Sequence, residues 1–108
     1  MSKITELESL LEERPDDPFL IYALAREYDK LSNPLQAVLM YEHLVNEHPD
    51  YIGTYYHYAS LLYTRGNRNE GIKLVDTGIA RGTEAGDMHA VSELKRLKAE
   101  WMLDRDED

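Results

Sequence analysis

The chain has 108 residues, no cysteine and a formal net charge of −9, a length that suits one domain burying roughly two-thirds of the surface its unfolded chain exposes. Without cysteine there is no disulfide scaffold, thiolate metal site or cysteine nucleophile, and the acidic balance argues against nucleic acid and anionic membranes as partners, since both require a basic face. No apolar run is long enough for a signal peptide or a membrane span, so the chain reads as cytoplasmic.

Helical periodicity and punctuation predict six helices. The first, over 3–14, carries Ile4, Leu7, Leu10 and Leu11 as one narrow apolar stripe among polar residues. Such a helix packs on one side only, so it reads as an end cap with no repeat expected before it. Pro15-Asp16-Asp17-Pro18 closes it. Asp17 can then accept from the free amides of a second helix over 18–31, and Pro18 fits that helix's first turn. Asn33-Pro34 repeats the arrangement at the head of a third helix, 34–47, which His48-Pro49-Asp50 ends.

A fourth helix is expected over 51–65 and a fifth over 68–81. Asn67 and Glu70 are spaced for a reciprocal cap, and Gly66 and Gly82 suit left-handed helix endings. The sixth, 86–104, carries a wide apolar arc of Ala90, Val91, Leu94, Leu97, Trp101 and Met102. Only the fifth helix, with Ile72, Val75, Gly78 and Ile79 inward, is expected to cover it. Apolar surface left at such an end makes a homodimer through this helix the alternative expectation. Residues 105–108 read as a solvated acidic tail. The Tyr- and Val-rich stretches follow helical rather than alternating spacing, so no strand is expected and the fold class is all-α.

A repeat underlies these elements. At an offset of 34, Glu8/Glu42, Leu10/Leu44, Glu13/Glu47, Pro15/Pro49, Asp16/Asp50, Tyr22/Tyr56 and Ala25/Ala59 are identical. A fixed period with alternating helices and short turns marks a solenoid. The spacing Ile21-x2-Leu24-Ala25-x2-Tyr28, then Ala37-x3-Tyr41, then Pro49 resembles the tetratricopeptide repeat. A second copy reads Tyr55-x2-Tyr58-Ala59-x2-Leu62, then Gly66, Gly71-x3-Val75 and Gly78, with Thr83 where the closing proline would stand. Small residues at Ala25, Ala37, Ala59, Gly71 and Gly78 let helices approach closely. At the same offset the last helix places Glu93 opposite Ala59, which cannot fill such a slot; Met88, Val91 and Ser92 fit one residue earlier.

The resemblance implies a right-handed array of helix pairs, an α-α superhelix: a half repeat 3–16, repeats 17–50 and 51–83, and a terminal helix 86–104. It identifies a fold rather than a reaction. It also implies that the first helix of each repeat lines a concave groove, here with Phe19, Tyr22 and Arg26, then Tyr56, Ser60 and Tyr63, and His57 at the edge. Tyr28, Tyr41, Tyr55 and Tyr58 fall on core spacing, whereas Tyr22, Tyr56 and Tyr63 do not. Tyrosine offers a large, stiff contact surface and arginine a fork for carboxylates. The expected function is therefore a protein-interaction module or small adaptor that binds a peptide or protein segment. Tetratricopeptide domains that hold acidic chaperone tails use lysines and asparagines in this groove; Tyr22, Arg26 and His57 depart from that pattern.

Nothing in the sequence points to catalysis. His43 and Glu47 lie four apart and could form half a metal site, but zinc needs three or four ligands and no partner with ligand spacing follows. Carboxylate pairs such as Asp16/Asp17 and Glu12/Glu13 suit helix ends and exposed faces. No serine sits in an elbow motif, and Arg65-Gly66-Asn67-Arg68 is too short for a phosphate loop. No catalytic residue, cofactor or metal is expected.

Overall fold

In the computed structural model, which describes residues 2–107 and the last three of these as helical backbone only, six α-helices follow one another. No strand occurs among the described residues. They are α1 (Lys3–Glu13), α2 (Pro18–Lys30), α3 (Pro34–Glu47), α4 (Gly53–Thr64), α5 (Arg68–Ala85) and α6 (Met88–Glu107). None of them is long and apolar enough to cross a membrane. The acidic tail expected over 105–108 lies, apart from the helical backbone of 105–107, outside the described residues. The chain divides into two units, Met1–Thr54 and Tyr55–Asp108.

In the first unit, α2 packs against both α1 and α3. Side-chain oxygens start the first two helices. Ser2 accepts from the Thr5 amide at 3.2 Å, and Asp17 accepts from Phe19 and Leu20 at 2.9 and 3.3 Å, with Pro18 in the first turn as expected. Asn33 makes no such bond, so Pro34 alone fits α3's start. Leu20, Ile21, Leu24 and Ala25 from α2 meet Ala37, Tyr41 and Leu44 from α3 in the core. Ala25 and Ala37 are fully buried, which is why neither position takes a larger side chain. On α1, Ile4, Leu7 and Leu11 are half-buried while Leu10 faces solvent.

In the second unit, α5 backs onto α4 where side chains vanish. A Cβ on Gly71 would stand 2.9 Å from the Ala59 carbonyl oxygen. A Cβ on Gly78 would stand 2.7 Å from Tyr55 Cβ and 2.9 Å from Leu94 Cδ1 of α6. Ala59, Tyr55 and Val75 are fully buried. Helix α5 runs past the expected stop: Gly82 is buried inside it, and the helix ends at Gly86, whose φ of 74° is left-handed. Asn67 makes no side-chain cap bond, contrary to its spacing from Glu70. Asp87 instead caps α6, accepting from the Ala90 amide at 3.1 Å.

The 34-residue period reappears in the backbone. After α2, Leu31, Ser32 and Asn33 donate to the carbonyls of Glu27, Asp29 and Tyr28; after α4, Arg65, Gly66 and Asn67 donate to Leu61, Tyr63 and Leu62. Ser32, with φ 58°, holds the left-handed position that Gly66 holds with φ 98°. The turns after α1 and α3 match in the same way: Arg14 and Asp17 bond to Leu10 and Arg14, His48 and Tyr51 to Leu44 and His48.

Most of the apolar arc of α6 is buried within the second unit, with Ala90 and Met102 half-buried. Val91, Leu94, Leu97 and Trp101 are all buried, and the Trp101 ring lies on that of Tyr63. The sequence-based expectation counted only α5 as cover; α4 supplies the missing surface through Tyr63.

Candidate functional site

Along α2, Phe19, Tyr22 and Arg26 recur at helical spacing on the side away from Leu20, Ile21, Leu24 and Ala25. Phe19 is 60% exposed, and Tyr22 and Arg26 are half-buried. The Tyr22 ring tilts against Tyr51 with centroids 5.4 Å apart, and Gly53 leaves room beside it, since a Cβ there would stand 3.7 Å from Tyr22 Cε1. Arg26 is engaged from within: its guanidinium lies 3.5 Å from Asp29 Oδ2, which also accepts from the Tyr41 hydroxyl at 3.3 Å. Burial pushes the Tyr41 hydroxyl well above the usual tyrosine range, opposed by hydrogen bonding to Arg26. Burial raises Tyr51 as well, with Tyr22 and Asp17 adding to the effect.

Along α4, Tyr56, Ser60 and Tyr63 share one side at helical spacing. They are half-buried, as is His57, whereas Tyr55, Tyr58 and Ala59 are in the core. Tyr56 meets His57 edge-on with ring centroids 5.3 Å apart. The Ser60 carbonyl accepts from the Thr64 hydroxyl at 2.9 Å. Tyr63 is the most committed of the four. Trp101 covers one face of its ring at 3.9 Å, and the Arg68 guanidinium sits over the ring 5.5 Å from the centroid. What Tyr63 offers a partner is therefore its edge and its hydroxyl.

A different cluster lies elsewhere in the first unit. Asp16, in the turn between α1 and α2, has its Oδ1 3.0 Å from His43 Nε2 and 3.0 Å from His48 Nε2. The two histidine rings are 6.2 Å apart and edge-on. Hydrogen bonding to His43, and then to His48, holds the Asp16 carboxyl below the usual carboxylate range. Sequence spacing suggested Glu47 as the companion of His43; the fold brings Asp16 and His48 to it instead.

No family model matches the chain, and no curated protein matches it either. Among solved structures it is similar to a tetratricopeptide repeat domain protein from Salinibacter ruber. The solution NMR structure of that protein shares 38% identity, covering 80% of this chain and 87% of that one, with a TM-score of 0.76. Its crystal structure gives 38% identity, 79% and 94% coverage, and a TM-score of 0.76. The chain belongs to the tetratricopeptide repeat family.

As a tetratricopeptide repeat chain it keeps small residues where helices of a pair cross, at Ala25, Ala37, Ala59, Gly71 and Gly78, all of them buried. Of the residues expected at a tetratricopeptide binding face, Phe19, Tyr22 and Arg26 share one side of α2 in the first unit. Tyr56, Ser60 and Tyr63 share one side of α4 in the second, with His57 beside Tyr56. Two commitments were not anticipated from the sequence: the pairing of Arg26 with Asp29 and the stacking of Tyr63 on Trp101. The first had a signal in its three-residue spacing; the second, between helices, had none.

Proposed function

We propose that this tetratricopeptide repeat chain is a protein-interaction module, a small adaptor that binds a peptide or protein segment and performs no reaction of its own. Its contacts are Phe19, Tyr22 and Arg26 on α2, and Tyr56, His57, Ser60 and Tyr63 on α4. The supporting observation is the sidedness of these two helices. Each buries one face in its own unit and leaves the other, rich in aromatic rings, open or half-open. A segment laid on such a face gains apolar area from Phe19 and the tyrosines. Its acidic groups would meet Arg26, in competition with Asp29.

The test begins with affinity capture of the partner from the source cell and its trimming to the bound segment. Arg26→Ala and Tyr56→Ala should each weaken binding of that segment by on the order of 1 kcal/mol or more, with helicity unchanged by circular dichroism. Unaltered affinity in both variants would remove these faces from the proposal.

A further inference from the structure

Asp16, His43 and His48 take no part in the proposed binding faces, yet their ligand atoms all lie within 4.8 Å of one another. From this convergence we infer that the turn between α1 and α2 and the end of α3 form a divalent metal site of the two-histidine, one-carboxylate kind, with zinc as the fitting ion. Zinc holds imidazole nitrogen and carboxylate oxygen at about 2.0–2.2 Å, so ligand atoms around one tetrahedral centre stand roughly 3.3–3.5 Å apart. Both carboxylate-to-imidazole separations are already 3.0 Å. Small side-chain rotations admit the ion between them.

The donor set fits a transition ion. Imidazole suits zinc, copper and nickel, whereas magnesium and calcium select all-oxygen shells. His48 Nε2 is shielded from solvent and stands 3.0 Å from the carboxylate oxygen, so it already faces the position the ion would take. Coordination would use that atom. The ligands are also placed by backbone structure. His43 lies within α3, and His48 closes that helix with its N–H on the Leu44 carbonyl at 2.7 Å. Asp16 sits in a turn closed by the Asp17 amide on the Arg14 carbonyl at 3.3 Å. The site is open, with Asp16 63% and His43 45% exposed, so water completes the coordination. The net charge of −9 favours cation approach. A bound ion would tie the first turn of the chain to the end of α3 and stabilise that unit.

Calorimetric titration of the chelator-treated full chain with zinc chloride tests this. Zinc should bind one-to-one, and Asp16→Asn, His43→Gln and His48→Gln should each weaken it by at least about tenfold. His89→Gln should bind as the parent does, because His89 pairs with Glu93 on an exposed face outside the cluster. Should a variant fail to fold, NMR of the unaltered chain decides: zinc should shift the imidazole signals of His43 and His48 and leave those of His57 and His89 in place. Full affinity in both His43→Gln and His48→Gln, zinc-induced shifts confined to other histidines, or no binding at all would overturn the inference.

Discussion

The Trp101 indole lies flat on the Tyr63 ring, with centroids 3.9 Å apart and planes within 5° of parallel. This contact joins the end of α6 to α4 and leaves Trp101 only 7% exposed. It gives the apolar arc of the last helix a partner within the same chain.

Trp101→Ala should therefore act on stability rather than assembly. Removing a buried tryptophan costs about 3–5 kcal/mol, to be read from urea unfolding followed by circular dichroism. Sedimentation at tens of micromolar should show monomer mass for both the parent and the variant. A dimeric parent that Trp101→Glu turns into a folded monomer would instead place an interface on α6.

The helix crossings of the second unit make a sharper prediction. Gly78→Ala forces a methyl within 3 Å of Tyr55 and Leu94. It should destabilise by about 1–3 kcal/mol through overpacking, more than offsetting the ~1 kcal/mol gain in helix propensity. Ala59→Leu should fail similarly, because Ala59 is fully buried and its carbonyl backs onto Gly71. Gly53→Ala, whose new methyl meets Tyr22 at ordinary contact distance, should leave the midpoint unchanged or raise it. Denaturant midpoints of the three variants check the ranking.

Tyr41 predicts a response at alkaline pH. Its folded-state pKa is raised above the ordinary value of 10.0, chiefly by burial. The folded chain thus binds this proton more tightly than the unfolded chain does. The stability so contributed is fully present below pH 10 and declines as pH rises above it. Tyr41→Phe should lose about 1 kcal/mol at neutral pH, with the hydrogen bond to Asp29. The same variant should fall less steeply than the parent above pH 10. Parallel alkaline slopes in unfolding experiments would show that Tyr41 does not govern the response.

The parts legible in the sequence were those written in local chemistry and repetition. Ala25 and Ala59, like Ala37 and Gly71, recur at an offset of 34 because a crossing excludes side chains, and spacing survives into the fold. Asp17-Pro18 announced α2 because both capping groups are adjacent. Gly82 misled because glycine serves two purposes, ending a helix in the left-handed region or letting another surface approach; Gly82 is buried in mid-helix, and Gly86 ends the helix four residues later. Asn33 and Asn67 had the right residue type for caps but form no side-chain bond. Contacts between helices were out of reach. Asp16 is 27 residues from His43, and nothing in either neighbourhood marks the pairing. Tyr63 was assigned to a binding face because its register differs from the core, and Trp101 claims one side of its ring.

The proposed function sets a protein segment on the outward faces of α2 and α4. The most direct measurement is the amide and side-chain NMR shift map of the full chain on titration with the captured segment. Shifts are expected at Phe19, Tyr22, Arg26, Tyr56, His57 and Ser60, with smaller changes at Tyr63. Shifts confined to α6, or to the exposed Leu35 and Leu39 of α3, would contradict it.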